Sequence, residues 1–164
     1  MRLSLALLIF GMAIPACSAQ AIEVCARESA GIYYGGDQNY RYNGVGGFVR
    51  WYLSDRTALE PEFSIWHVNN SPSTLYSVTL GVSHDFRGGE HRLVPSWFWD
   101  IGLAKVLNTS SPLTTDYYVA GGVGLNLKYS LSDRIFVETR VRGGFFLHSA
   151  EASGGVGFVV RRAR

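Results

Sequence analysis

Charged residues are scarce in this 164-residue sequence, at 17% of the chain, whereas soluble domains usually contain roughly a quarter. The two signs are also nearly balanced, with 15 Lys and Arg against 13 Asp and Glu, so no basic field is available to attract nucleic acid. Cysteine is nearly absent, with only Cys17 and Cys25. These shortages argue against a disordered tail, a nucleic-acid-binding protein and a disulfide-stapled secreted module.

The first residues have the features of a secretory signal peptide. Arg2 gives a positive start, Leu3 to Ile14 is apolar, and Cys17-Ser18-Ala19 supplies the small residues of a cleavage site. The apolar part is about a dozen residues, too short for the roughly 20 of a membrane helix. We therefore expect a cleaved signal peptide over residues 1–19 and one domain over residues 20–164. Lipid attachment at Cys17 is a second option. Cleavage leaves Cys25 without a disulfide partner.

The rest of the chain alternates between apolar and small or polar residues with a period of two, which predicts β-strands rather than helices. No stretch beyond residue 20 reaches 18 apolar residues. Between Leu75 and Arg87 the even positions are apolar or aromatic apart from His84, and similar alternation covers Tyr117 to Tyr129 and Ile135 to His148. Weaker alternation elsewhere gives eight strands of roughly 9 to 13 residues, the length of a tilted strand that crosses a bilayer.

The predicted connections alternate in length. Tight turns are expected at Ser54-Asp55-Arg56, Gly88-Gly89-Glu90 and Ser132-Asp133-Arg134, and longer loops at Asp37 to Asn43, Asn69 to Thr74 and Asn108 to Asp116. Short turns on one rim and longer loops on the other are typical of an outer-membrane barrel. The sequence also contains an internal echo, because Leu-Ser-Asp-Arg occurs twice, each time before a strand that carries a glutamate.

The polar face of the predicted strands is rich in Gly, Ala and Ser, with isolated charges, which suits the narrow inside of an eight-stranded barrel. Its charges are balanced, five against five: Arg27, Arg50, Lys128, Arg140 and Arg142 with Glu60, Glu62, Asp85, Asp100 and Glu138. Because buried charges persist only when they are paired, we expect an internal ion-pair network and no wide pore. The aliphatic face is then expected to contact lipid.

Aromatic residues cluster near the strand ends, as is typical of the two interfaces of a membrane. The positions expected at the short-turn rim are Trp51, Tyr52, Phe86, Tyr129 and Phe136, and those at the loop rim are Tyr33, Tyr34, Trp66, Tyr117, Tyr118 and Phe146.

Four segments resemble the eight-stranded outer-membrane β-barrel proteins of the OmpA and OmpX type: Leu93-Val94-Pro95, Gly121-Gly122-Val123-Gly124, Leu131 to Glu138, and Gly155-Val156-Gly157-Phe158. The resemblance implies an all-β, antiparallel up-and-down barrel in the bacterial outer membrane and insertion by the barrel assembly machinery. It also implies a structural, surface-interaction or envelope-integrity role. One departure is that such barrels usually end on an aromatic residue, whereas this chain ends on Arg164.

Two other functions stay open. The chain also resembles lipid A deacylases in length and strand count, which would make His148, Ser149 and Glu151 a hydrolase site, although the His-x-Ser-Asn pattern of those enzymes is absent. A periplasmic, lipocalin-like carrier of a hydrophobic ligand is the third reading.

Our preferred interpretation is a protein that is not an enzyme, without catalytic, cofactor or metal residues, since the histidines have no ligand spacing. The expected partners are outer-membrane lipids and lipopolysaccharide, and the chain is expected to be a monomer.

Overall fold

The computed structural model describes residues 21–35, 38–87, 91–108, 115–145 and 149–162. They form eight strands and no helix: β1 Ala21–Gly35, β2 Gln38–Tyr52, β3 Thr57–Val68, β4 Ser73–Asp85, β5 Leu93–Asn108, β6 Thr115–Ser130, β7 Ile135–Gly144 and β8 Ser149–Arg162. Each strand pairs with the next in antiparallel orientation, and β8 pairs with β1, so that the sheet closes into a barrel. The predicted fold class is confirmed.

The pairing register fixes the tilt of the strands. A path of paired residues that leaves β1 at Ala21 and steps through all eight strands returns to β1 at Gly31, ten residues further along. A stagger of ten residues at about 3.3 Å each, around eight strands about 4.8 Å apart, gives a tilt of about 40°. About ten residues of such a strand rise about 25 Å, the height of the apolar band of an outer-membrane barrel.

The two Leu-Ser-Asp-Arg segments form turns with the same hydrogen bonds. Leu53 N donates to Thr57 O at 2.8 Å, and Leu131 N donates to Ile135 O at 2.9 Å. The Ser54 hydroxyl accepts from Thr57 N, and the Ser132 hydroxyl accepts from Ile135 N, both at 3.1 Å. The tight turns predicted at these two places are confirmed. The third, at Gly88 to Glu90, lies outside the described residues.

The first predicted loop, at Asp37 to Asn43, is wrong, and the second, at Asn69 to Thr74, is two residues shorter than predicted. The structure places Gln38 to Asn43 in β2, so the connection after β1 spans only residues 36–37. This part of β2 could not be recognised from the sequence, because Gln, Asn and Arg lie among the tyrosines of the strand end and interrupt the alternation of apolar and polar residues. The connection after β3 is the short segment Asn69 to Pro72, in which Asn70 adopts a φ of 60° that asparagine tolerates. Most of the loop expected at Asn108 to Asp116 lies outside the described residues.

Apolar side chains lie on the outer face of the barrel wall and polar side chains on its inner face, as predicted. On β6, Leu125 and Leu127 are exposed on the outside, and the alternating residues Asn126 and Lys128 are buried inside. The exposed aliphatic and aromatic side chains continue around the barrel as an apolar belt that includes Phe63, Val78, Leu80, Trp99, Ile101, Leu103, Val119, Val123, Val141, Val156 and Phe158. In the part of the chain that is described, no helix is long and apolar enough to cross a membrane.

Some of the aromatics expected at the rims are buried instead. Phe136, Tyr52 and Trp66 face the interior and are at most 7% exposed, and Trp51 is also buried. Their positions near strand ends are compatible with a rim, but the register points the first three inward. Tyr34, Phe86, Tyr117, Tyr118 and Tyr129 are exposed. Phe146 lies outside the described residues.

Candidate functional site

The middle of the barrel interior is occupied by two arginines and two glutamates, here called the ion-pair square. Arg50 of β2 binds both Glu60 of β3 and Glu138 of β7, and Arg140 of β7 binds the same two carboxylates. The Arg50 contact to Glu138 is 3.2 Å and the Arg140 contact to Glu138 is 3.1 Å. The two glutamates follow the two echoed turns, so the internal repeat of the sequence supplies the two anions of the square.

Two phenylalanines fill the space beside the square. The guanidinium of Arg140 lies 4.1 Å from the ring centroid of Phe48 and 4.6 Å from that of Phe98, and the Arg50 guanidinium is 5.0 Å from Phe48. The negative faces of the rings thus contact the cations while the glutamates bind them. Charged and aromatic side chains together pack the interior at this level.

A lower tier lies toward the short turns and consists of Glu23, Tyr52, Asp85 and Lys128. The Lys128 ammonium donates to Glu23 Oε1 at 2.9 Å and to the Tyr52 hydroxyl at 2.8 Å. Tyr52 in turn donates to Asp85 Oδ2 at 2.8 Å. Arg50 joins this tier to the square through its 3.0 Å contact with Glu23.

An upper tier lies toward the loops and contains Arg27, Glu62, Asp100, Arg142 and Glu151. Arg142 Nε donates to Asp100 Oδ2 at 2.9 Å, and Arg27 binds Glu62. Glu151 is 3.6 Å from Arg142 and 4.0 Å from Arg27, so it lies between the two guanidinium groups. The three tiers together are called the plug.

All ten charges that the sequence predicted inside are in the plug. Two acidic residues were missed, Glu23 and Glu151, so that seven carboxylates accompany the five cations. Glu23 lies on the least regular of the predicted strands. It is two residues before Cys25 and four before Arg27, and this spacing, which puts it on the same strand face as Arg27, was the available signal. Glu151 was considered only as part of the hydrolase alternative. The expected ion-pair network is nevertheless present.

Above the plug the interior opens into a cavity of about 380 Å³, here called the loop-end cavity. Its lining combines aromatic rings with hydroxyl groups. The Tyr42 ring meets the Trp66 ring edge-on at 4.9 Å, and Tyr33 stacks on Tyr40 at 6.2 Å. Serine and threonine side chains complete the wall, among them Ser71, Ser73, Thr74, Ser77, Thr79 and Ser149, and Glu62, Arg142 and Glu151 of the upper tier lie at its floor.

Gly44 makes room for the Trp66 ring, since a Cβ at this position would overlap it. The indole Nε1 donates to the Ser77 hydroxyl at 3.3 Å. Rings offer flat apolar contact, hydroxyls offer adaptable hydrogen bonds, and the floor offers charge of both signs. Such a lining fits a small amphipathic molecule.

The proposed hydrolase residues are not assembled as a triad among the described residues. Ser149 and Glu151 face the same side of β8, because they are two residues apart, and His148 lies outside the described residues. Glu151 is bound to Arg142 and Arg27. Among the described residues, no group of three His, Cys, Asp or Glu could hold a metal ion.

Comparison with known proteins identifies the fold. Neither a protein-family model nor a curated protein matches the chain. The N-terminal β-barrel domain of Pseudomonas aeruginosa OprF is similar in structure, with a TM-score of 0.65, 19% identity, and coverage of 86% of this chain and 98% of that one. Neisserial surface protein A has a TM-score of 0.65 and 14% identity, with 84% and 96% covered. Outer membrane protein OprG of P. aeruginosa has a TM-score of 0.62 and 9% identity, with coverage of 87% of this chain and 97% of that one.

The chain therefore has the fold of the eight-stranded outer-membrane barrels, as its sequence motifs predicted. The predicted location in the bacterial outer membrane agrees with these structures and with the apolar belt around the barrel.

Proposed function

We propose that this chain acts in the bacterial outer membrane as a closed, non-conducting barrel with a structural or surface-interaction role. The plug is the observation that supports this proposal. Its three tiers connect the strands from β1 to β8 through the axis of the barrel, and Arg50 at its centre has no exposed surface. A water-filled path for ions would have to break several of these contacts.

The outside of the barrel supports contact with lipid and lipopolysaccharide. Arg41 and Lys105 lie on the outer face near the loop ends of β2 and β5, and the Lys105 ammonium is 5.5 Å from the Tyr117 ring. Cations at this level suit the phosphates of an anionic surface. Insertion by the barrel assembly machinery belongs to the same proposal.

The loop-end cavity supplies the surface-interaction part of the role. It lies on the side of the plug that faces away from the short turns, and it is lined by side chains suited to binding. In this arrangement the plug separates the cavity from the periplasm, so a molecule in the cavity would be held at the cell surface rather than transported.

Conductance measurements test the closed barrel. Purified, refolded protein added to a planar lipid bilayer should give no stepwise current, whereas a porin measured in the same bilayer should give large steps. Reproducible channel steps from the wild-type protein at neutral pH would refute the non-conducting role.

Surface labelling tests the orientation. Asn69→Cys in the turn after β3 should react with a membrane-impermeant maleimide on intact cells, and Asp133→Cys in a short turn should react only after the outer membrane is permeabilised. Both positions are exposed, so accessibility in the protein itself is matched. The reverse labelling pattern, or recovery of the protein in the soluble periplasmic fraction, would contradict the proposal.

A further inference from the structure

The plug contains more carboxylates than cations, and the surplus is divided between its two ends. In the square and the lower tier together, four carboxylates accompany three cations, and in the upper tier three carboxylates accompany Arg27 and Arg142. Among the described residues, the lower carboxylate without a salt bridge is Asp85, and it accepts a hydrogen bond from the Tyr52 hydroxyl at 2.8 Å. The upper tier also has one carboxylate more than it has cations.

Glu151 is the carboxylate that the upper tier holds least closely. Arg27 binds Glu62 and Arg142 donates two hydrogen bonds to Asp100, whereas Glu151 is 4.0 Å from Arg27 and 3.6 Å from Arg142. In the described part of the chain it accepts no hydrogen bond, although its side chain is only 2% exposed. A buried carboxylate without a hydrogen bond is costly. Because Glu151 lies at the floor of the loop-end cavity, a ligand in the cavity can supply the donor.

Two aromatic rings lie next to this carboxylate. Gly31 of β1 pairs with Tyr42 on one side and with Glu151 on the other. A Cβ at Gly31 would overlap the Tyr42 hydroxyl, so the tip of this ring lies over Gly31, beside Glu151. Trp66 meets Tyr42 edge-on at 4.9 Å, in space that Gly44 leaves free. One wall of the cavity therefore presents a carboxylate followed by two rings.

The lower tier contains the same combination of groups with a cation bound to it. There Glu23 accepts a hydrogen bond from the Lys128 ammonium at 2.9 Å. This ammonium lies 5.2 Å from the ring centroid of Tyr52 and 5.6 Å from that of Phe136. A carboxylate beside two rings thus binds an alkyl ammonium, which is attracted by the carboxylate and by the negative ring faces. The loop-end cavity repeats the carboxylate and the rings, but no lysine is among the described residues that line it.

We propose that the loop-end cavity binds a small amphipathic organic cation, namely a primary ammonium group joined to an apolar group. In this complex the ammonium donates to Glu151 beside the Tyr42 ring, and the apolar group lies against Trp66. The cavity volume of about 380 Å³ is within the range of small-molecule sites, about 300–1,000 Å³. This inference rests on the surface-interaction role proposed above and names the class of ligand for it.

Charge favours a cation over other amphipathic ligands of the same size. An anionic ligand would add a fourth negative charge to the upper tier, and the cation that lines the cavity, Arg142, already donates to Asp100. A neutral ligand would leave the surplus negative charge of the tier in place. A cation neutralises this charge and at the same time faces the rings.

Three ligands of matched size test the proposal in the unaltered protein. Phenethylamine, phenethyl alcohol and hydrocinnamate share a phenethyl group and differ in charge. Isothermal titration calorimetry with folded protein in maltoside micelles at neutral pH, with empty micelles as the blank, should give an affinity for the amine about tenfold or more above the other two. Equal affinities for the amine and the alcohol, a preference for the carboxylate, or no binding above the blank would overturn the proposal.

A pair of matched variants locates the binding charge. Glu151→Gln keeps the size of the side chain and removes its charge, so it should lower the affinity for phenethylamine by about tenfold to a hundredfold. Glu28→Gln makes the same change in net charge at an exposed position on the outer face of β1, and it should leave the affinity unchanged. Heat-shifted mobility in detergent gels reports folding. Unchanged affinity in folded Glu151→Gln protein, or an equal loss in both variants, would also refute the proposal.

The ligand series decides the question even if the Glu151→Gln variant does not fold, because it uses the unaltered protein. Its failure is also distinct from failure of the closed barrel. Absence of amine binding together with absence of conductance would refute the ligand and leave the non-conducting barrel standing. Amine binding by a protein that also gives channel steps would support the ligand and refute the non-conducting role.

Discussion

The lower and upper halves of the barrel interior are enclosed by the same eight strands, yet they are filled differently. The lower half contains the ion-pair square and the lower tier, in which every charged side chain contacts an opposite charge or a hydroxyl. The upper half contains the charged upper tier and, above it, rings and hydroxyls around a cavity of about 380 Å³.

The difference shows what each filling can do. Long charged side chains reach across the axis and tie distant strands together, because each guanidinium binds two or three carboxylates. Rings stacked along the wall, such as Tyr33 on Tyr40, leave the axis free. In the role that we propose, the lower half therefore supplies closure and rigidity, and the upper half leaves space for a ligand.

Removal of the central cation should have the largest effect. Arg50→Ala leaves Glu23, Glu60 and Glu138 without their shared cation. Breaking a buried ion pair from one side costs about 3–5 kcal/mol, so we expect the free energy of unfolding to fall by about that amount. Urea unfolding in lipid vesicles, followed by tryptophan fluorescence, measures it.

Arg142→Ala is the matched control for this experiment. Its side chain is 16% exposed at the floor of the loop-end cavity, where water can replace part of its contacts. Arg142→Ala should lower the free energy of unfolding clearly less than Arg50→Ala does. Equal losses in the two variants would show that the upper tier is as essential to closure as the square.

A cation on the outside of the wall should be nearly as disruptive as the loss of one inside. Val123 is 44% exposed in the apolar belt, and Val123→Arg should cost about 2–4 kcal/mol because a charge near the centre of the bilayer is penalised by its depth. Tyr129→Arg, near the short-turn end of the same strand, should cost about 0–1 kcal/mol. Folding efficiency into vesicles and urea unfolding report both values, and the absence of a difference would contradict the assigned membrane face.

Loss of a ring from the upper half should have an intermediate effect. Trp66 is buried, but one side of it lines the loop-end cavity, so Trp66→Ala removes fewer contacts than a similar change in a filled core. We expect a loss of about 1–3 kcal/mol. Bilayer conductance should remain absent, because the plug below is unchanged. Stepwise current in this variant would show that closure depends on the upper half as well.

Much of this architecture could be predicted from the sequence. Alternation with a period of two is a local property, so eight strands, their inside and outside faces, and ten of the twelve plug charges follow from spacing alone. The echoed turns were also readable, since Ser54 and Ser132 each cap their turn through contacts no more than three residues away.

The remaining features depend on register around the whole barrel. Whether an aromatic near a strand end lies at the rim or inside depends on how far each strand is staggered against its neighbours, and this placed Phe136 and Trp66 inside. The partners in the ion-pair square are up to 88 residues apart. The sequence therefore indicates that the positive and negative charges are nearly balanced, but not which residues pair. The loop-end cavity is a space between side chains from several strands, and no single segment predicts it.

The smallest expected effect concerns one hydrogen bond in the upper half. Trp66 Nε1 donates to the Ser77 hydroxyl, and Ser77→Ala removes the acceptor while it leaves the ring in place. Since the indole N–H lies beside the cavity and can turn to water, the loss should be about 0.5–1 kcal/mol, near the lower end for a single hydrogen bond. Urea unfolding compared with Trp66→Ala measures it, and Ser77→Thr, which keeps a hydroxyl, is the control. A loss as large as that of Trp66→Ala would mean that the upper half, like the lower, is held by its polar contacts rather than by the stacking of its rings.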